Sequence, residues 1–532
     1  MNLTVYENGV FHTMDVAKPH AEAVVISGEE IVFLGTVREC REYAGGRPRT
    51  IDLAGAHVVP GLNDSHVHTA ELATQSAELD LSAAASVENA LMMVSSWFES
   101  TAEARRDEDW LLGCRWNQQS WSGRAVPTRF GLDAVTGGVP AALRSLDMHT
   151  YWLNSAALVR LGIDRKTPEP AGGSYLRDAE GELTGIITEA ATFAIQDLLH
   201  ADAGTRLDDA IERTLASFLR VGVTSIHDID GMDALRCFQQ LHSSGGLPLR
   251  IHKLLPVGGL EGYIEQQVLS GQGDDWLRFG AVKIFADGSL SSRTCLLHEP
   301  YLGELEYAGA AVTSLPRLRE LVSNCNKHGL AVAIHAIGDA AISNAITAIE
   351  DSRETTGSRN KLPNRIEHLQ HLAPSDLPRF AKLGAVACMQ PLSCTSDIDT
   401  VERLLGDRDL ISYGWRSILD AGGTVAFGSD APVESINPFT GIYVATTRQR
   451  ANGWPLGGWE PSERLTRPEA LACYTRAAAI ASGEYDTKGS ISVGQLADFA
   501  VLDRDLFTVD DAGLLDTAVS MTVIGGKIRW TQ

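Results

Sequence analysis

Apolar positions in this chain cluster into short runs, and between them lie longer stretches with apolar residues at helical spacing. The runs are AHVVPGLNDSHVH, GVTSIHDID, LRIHKLLP, FGAVKIFADG, AVAIHAIGD, NRIEHLQH, AVACMQP and TVAFGSDAP. Most are followed by an amphipathic segment such as AAISNAITAIEDSRE or PSDLPRFAKLG. Eight strand-type runs alternating with helices predict an α/β fold, a (β/α)8 TIM barrel. The chain ends read differently. LTVYENGVFHTM breaks at Asn8-Gly9, AEAVVISGEEIVFLG turns around Gly28, and VSMTVIGGKIRW turns at a Gly-Gly pair. These are hairpin signals, and they predict that residues 1–58 and 486–532 pair into one small composite β-domain. Residues 59–485 form the barrel. About residues 70–210 exceed an ordinary connection and are expected as an insertion after the first strand, covering the active site.

Composition narrows the picture only a little. The chain has 532 residues, 44% hydrophobic and 21% charged, as expected of a globular protein. A formal net charge of −23 argues against a nucleic-acid partner, whose phosphates would be repelled. No run of about 18 apolar residues predicts a membrane span, and the N-terminal stretch lacks the form of a signal peptide. Eight scattered cysteines without a CxxC pair predict reduced thiols. The expected location is cytoplasmic. The expected partners are a small-molecule substrate and at most a second copy of the chain as a homodimer.

The chemistry-bearing residues stand at the ends of the apolar runs. His66 and His68 are two apart, so on a strand both imidazoles face one space. Alone, an HxH pair is a weak signal. However, His335, His368 and Asp430 close three further runs, and functional residues of a barrel sit at the C-terminal ends of its strands. Four such ends carrying imidazole or carboxylate predict a metal site. Lys283 lies inside an apolar run, where a free ammonium is costly. Either its stem packs while its head reaches a carboxylate such as Asp287, or its lowered pKa lets it take up CO₂ and become an anionic ligand. His371 lies three residues after His368; on a strand the two point to opposite faces. His368 directly ends RIEH and is the expected ligand, with His371 in a loop.

Together VVPGLNDSHVHTAEL, GVTSIHD, VKIFADGSLSSRT, AIHAIGDAAI, RIEHLQHL, FGSDAPVESINPF and GSISVGQLADFAVLD resemble the amidohydrolase superfamily, and within it the YtcJ-like branch that includes N-substituted formamide deformylases. The resemblance spans nearly the whole chain, the insertion included, through RSLDMHTYWLNSAAL and GELTGIITEAA. Two positions depart from it. The family usually has an apolar residue where this chain has His371, and a glycine where it has Met148. The resemblance implies that the end domain is a β-sandwich and that the barrel is of the metal-dependent hydrolase type. It also implies one or two divalent ions, usually zinc. His66 and His68 would bind the more buried one with Asp430, His335 and His368 the second, with carboxylated Lys283 bridging them.

The chemistry expected of such a site is hydrolysis of a C–N amide bond in a small N-substituted amide or formamide by activated water, with Asp430 moving the proton. Cyclic amides, esters, lactones or deamination are alternatives on the same site, and a non-enzymatic binding protein is a further one. Substrate contacts are expected from the insertion. Trp116 and Trp121 form either an apolar wall or the insertion's own core. His149 and Asn154 are candidates to hydrogen-bond the scissile group. Arg293 is a candidate for a substrate carboxylate or for pairing with Asp287, which is itself a candidate substrate contact.

Overall fold

A computed structural model describes residues 3–75, 78–101, 110–121, 126–356 and 360–532. Eight parallel strands form one sheet in chain order: β1 (Leu62–Val67), β2 (Val223–Asp228), β3 (Arg250–Pro256), β4 (Leu277–Phe285), β5 (Val332–Ala336), β6 (Arg365–His368), β7 (Val386–Met389) and β8 (Thr424–Phe427). Seven lie within the predicted runs, and β4 begins just ahead of its run, at Leu277. Beyond the strand ends, the backbone N–H of Asp430 donates to His66 O at 2.7 Å and that of His68 to Ala431 O at 2.9 Å, so the chain leaving β8 returns to β1. The strands are buried on both faces, as parallel strands covered by helices must be. Ile226, Ile284, Ile334, Ile366 and Phe427 belong to one continuous apolar core with the surrounding helices.

The first run divides into two strands. His57–Pro60 joins a six-stranded sheet with Val10–His12, His20–Ala21 and the C-terminal strands Phe499–Leu502, Val519–Ile524 and Lys527–Thr531. The expected boundary at residue 58 therefore falls inside a strand. The break comes at Gly61, where a Cβ would stand 2.1 Å from the Thr224 hydroxyl, so no larger residue fits beside β2. A four-stranded sheet of Leu3–Glu7, Ala23–Ser27, Glu30–Gly35 and Arg49–Asp52 shares an apolar cluster with the six-stranded one through Tyr6, Phe11, Val24 and Phe499. Arg250 on β3 grips both oxygens of Asp498, at 2.6 and 3.0 Å, and fixes this layer to the barrel.

Between β1 and β2 lies a third sheet of six strands spanning Leu79–Asp80 to Leu183–Glu189. The helix Phe193–Leu219 leads from it into β2. The expected end of the insertion at residue 210 falls within this helix, whose Ile211, Leu215 and Phe218 belong to the barrel core. Amphipathic spacing alone does not show which of two cores a long helix serves. All eight cysteines are free and buried. Among the described residues, no helix is long and apolar enough to cross a membrane.

Candidate active site

The C-terminal ends of the strands bring His66, His68, His335, His368 and Asp430 together. Asp430 Oδ1 lies 3.3 Å from His66 Nε2 and 3.6 Å from His68 Nε2, and Oδ2 lies 4.0 Å from His368 Nδ1. The His368 ring centre is 4.8 Å from that of His66 and 4.4 Å from that of His335. Ligand atoms of His66, His368 and Asp430 all fall within 4.8 Å of one another. His368 and Asp430 adopt left-handed backbone conformations, with φ of +70° and +56°. Such conformations are costly for non-glycine residues and concentrate at functional sites. The turn beginning at His368 carries His371 away. It lies in the short strand His371–Leu372, not in a loop, with Nδ1 3.0 Å from Ser412 Oγ.

Three of these histidine rings are held by a side chain that the sequence does not reveal, and His335 Nε2 lies 3.2 Å from the backbone oxygen of Gly288. His66 Nδ1 is 2.5 Å from Glu367 Oε2, His68 Nδ1 is 2.8 Å from Asp230 Oδ1, and His368 Nδ1 is 2.9 Å from Gln390 Oε1. Glu367 is in turn held by Arg365 at 2.8 and 3.0 Å. Fixing one ring nitrogen orients the other, as the outer partners of metal-binding histidines do. Burial, reinforced by neighbouring cationic groups, holds His66, His335 and His368 well below the ordinary histidine pKa, so these imidazoles are neutral. His66 Nε2 is buried and has no hydrogen-bond partner. An orphaned lone pair aimed at a carboxylate and other neutral imidazoles fits a divalent cation.

Lys283 lies in β4, 3% exposed, with its ammonium 4.9 Å from the centre of the Phe285 ring. Burial lowers its pKa to about 8 despite the pull of Glu367 and Asp430. It does not reach Asp287. That carboxylate accepts backbone N–H bonds from Leu296 (2.9 Å), Ile337 (3.1 Å) and Gly338 (2.9 Å), and burial raises it to about 7. Asp287 thus ties the loop after β4 to the loop after β5.

A cavity of about 580 Å³ opens above the cluster, and His149, His335, His368, Asp430, Trp116 and Arg293 are among its lining residues. The insertion forms one wall. Asp147 locks it in place by accepting hydroxyl bonds from Ser289 (2.7 Å), Ser292 (2.6 Å) and Ser291 in the loop after β4 and from Ser145 (2.5 Å). The serines of GSLSSRT are the signal that could have revealed this clamp. Arg144 pairs with Glu71 beneath it. His149 Nδ1 is 2.8 Å from Glu189 Oε2. Burial opposes a charged ring there, but Glu189, Asp147 and Asp430 outweigh it and raise His149 to about 9.

The remaining predicted substrate residues have other positions. Asn154 is fully buried and caps the helix Ser155–Arg160, accepting from Ala157 N at 2.8 Å and donating to Val139 O and Thr136 Oγ1. These bonds use its amide inside the insertion, and it does not line the cavity. Trp121 packs with Trp116 and Trp152 in the insertion's core, whereas Trp116 both packs there and lines the cavity. Arg293 pairs with Glu304 at 2.5 Å rather than with Asp287. Met148 has φ of +64°, the left-handed conformation that glycine adopts without strain.

Residues 49–529 match the amidohydrolase family. YtcJ of Bacillus subtilis is 31% identical, covering 99% of both chains. N-substituted formamide deformylase of Arthrobacter pascens is 29% identical, covering 99% of this chain and 98% of that one. Among solved structures, an uncharacterized metal-dependent hydrolase from Pyrococcus horikoshii OT3 superposes with a TM-score of 0.77 at 27% identity, over 96% of this chain and 99% of that one.

Proposed function

The chain belongs to the amidohydrolase family, and we propose that it is a metal-dependent hydrolase that cleaves the carbon–nitrogen bond of a small N-substituted amide or formamide. The observation that carries this reading is the cluster of His66, His368 and Asp430, with an unpartnered His66 Nε2, on the floor of a cavity sized for a small molecule. Similarity along the whole length to a formamide deformylase supports the substrate class.

One or two divalent ions, zinc in this reading, would be held by His66, His68, Asp430, His335 and His368, with Lys283 as its N-carboxylate adding two oxygens. A divalent ion supplies Lewis acidity and makes water nucleophilic at neutral pH. The protein's own groups do the rest. Asp430 accepts the proton of the attacking water and returns it to the leaving amine nitrogen. Protonated His149, oriented by Glu189, donates a hydrogen bond to the carbonyl oxygen as it gains charge. Trp116 offers an apolar surface to the substituent on nitrogen, and Arg293 stands where a distal carboxylate would meet it. The two sheets built from the chain ends are read as the composite β-sandwich, a support remote from the chemistry.

The test is metal content together with hydrolysis of a panel of N-substituted formamides, acylated amino acids and lactones. Less than one metal per chain would sink the metal-dependent mechanism. Turnover of lactones with no turnover of amides would sink the substrate assignment.

A further inference from the structure

A second group of metal-type side chains lies on the sheet built from the two chain ends. His12 closes the strand Val10–His12, His57 opens His57–Pro60, and Asp505 comes shortly after Phe499–Leu502. These strands are neighbours, with Val10 beside His57 and Leu502 beside His57 on its other edge. Three segments distant in sequence thus converge at one corner. His12 Nε2 is 3.1 Å from His57 Nδ1 and 3.7 Å from Asp505 Oδ1, and His57 Nδ1 is 3.9 Å from the same oxygen.

We propose that His12, His57 and Asp505 form a second divalent-metal site, of the Zn²⁺ class, which fastens the N-terminal strands to the C-terminal segment. A tetrahedral zinc with bonds of about 2.0–2.1 Å has ligand atoms roughly 3.3 Å apart, and the three observed separations bracket that spacing. A hydrogen bond between the two imidazoles accounts for the shortest separation but not for a carboxylate oxygen facing both rings. The carboxylate is already oriented, since Asp505 Oδ1 accepts from Phe507 N at 2.9 Å and Oδ2 from Thr508 Oγ1 at 2.9 Å. Phe507 covers the site, its ring centre 4.5 Å from that of His12. Burial pushes His12 down to about 4, outweighing the pull of Asp505, so its imidazole is neutral and can ligate. The side chains are 10%, 24% and 23% exposed, which leaves an entry path. The exposed His20, paired across the strands with His12 and 5.5 Å from it between ring centres, is within reach as a fourth ligand. An ion here closes loops between residues far apart in the chain, so it stabilises the folded state by binding it preferentially.

The test uses full-length protein stripped with a chelator, then titrated with Zn²⁺ against a chromophoric chelator and melted with and without Zn²⁺. Four proteins are compared: the unchanged chain, His57→Ala, Asp505→Asn, and the double variant His66→Ala/Asp430→Ala. The expected result is that His57→Ala and Asp505→Asn each bind one equivalent fewer than the unchanged chain. The double variant retains one equivalent and its zinc-induced rise in Tm. Asp505→Asn keeps an acceptor for Phe507 N and serves as the folding-safe variant if His57→Ala does not fold. Equal zinc counts in Asp505→Asn and the unchanged chain overturn the proposal, as does a double variant that binds no zinc. Neither result bears on hydrolysis at the barrel mouth, so the two readings fail separately.

Discussion

Replacing Glu367 with glutamine changes a single atom at the base of the barrel cluster, and the surrounding hydrogen bonds set the consequence. Glu367 is fully buried and uses both oxygens: Oε2 faces His66 Nδ1 at 2.5 Å and Arg365 Nη2 at 3.0 Å, and Oε1 faces Arg365 Nε at 2.8 Å. Glutamine has one oxygen. If that oxygen turns toward His66, the amide NH₂ opposes the buried Arg365 Nε–H, leaving a charged donor unsatisfied at about 1–3 kcal/mol. If it turns toward Arg365 Nε, the NH₂ donates to His66 Nδ1 and the ring proton moves to Nε2. The lone pair aimed at the cluster is then lost. The second arrangement turns the NH₂ toward one Nη2–H as well, but Nη2 still donates to Ser65 O at 2.7 Å and Nε keeps its acceptor, so no guanidinium nitrogen facing Glu367 loses all its partners and this arrangement should prevail. Loss of such an outer partner lowers metal affinity by about 10–100-fold, or about 1.4–2.7 kcal/mol. Competition titration of Zn²⁺ into chelator-stripped Glu367→Gln reads this directly, with urea unfolding as the check on folding. A folded Glu367→Gln whose zinc affinity stays within about twofold of the unchanged protein would refute the tautomer argument. Glu367→Ala is a different perturbation, since it strands Arg365 in the interior and should cost about 3–5 kcal/mol of stability.

Three further outcomes are expected. Trp116→Ala and Trp121→Ala should each destabilise by about 3–5 kcal/mol through lost packing, but only Trp116→Ala should raise KM for an amide with an aromatic substituent; equal KM in both variants would place Trp116 purely in the core. Met148→Gly should leave stability unchanged or raise it by up to about 1 kcal/mol, because glycine removes the cost of a left-handed conformation; a loss above about 1 kcal/mol in thermal or urea unfolding contradicts this. Burial pushes the Glu484 carboxyl up, but Lys488, His252 and Arg278 outweigh it and hold it at about 2, so this group's contribution is present above about 4.5 and lost as pH falls toward about 2. Glu484→Gln should therefore flatten the stability profile between about pH 6 and about pH 3 by about 2 kcal/mol, measured as urea midpoints at those two pH values, and an unchanged profile would sink the assignment.

Much of the barrel was legible because its signal is local. A strand buried on both faces needs a short apolar run, and a residue at its C-terminal end is directed to the mouth whatever the rest of the chain does. The positions of His66, His335, His368 and Asp430 follow from that rule alone. The position of Met148 also has a local meaning, since its single positive φ angle is one that favours glycine. Asn154 shows the limit of the same reasoning: a polar residue in the insertion, five positions after His149, reads as a substrate contact, yet a helix begins at the next residue and takes its amide as a cap.

The eight-strand alternation, the two strand-rich ends and the set of groups carried to the barrel mouth were therefore settled by residue order. The tertiary structure was needed to show which groups hold them: Glu367 lies 301 residues from His66 and Asp230 162 residues from His68. It was needed as well to show that Asp147 gathers serines from another loop, that Arg293 meets Glu304, and that His12, His57 and Asp505 share a corner. Periodicity reports which way a side chain faces along its own element. It carries no information about which distant element faces back, because that depends on how the strands order, close and pack.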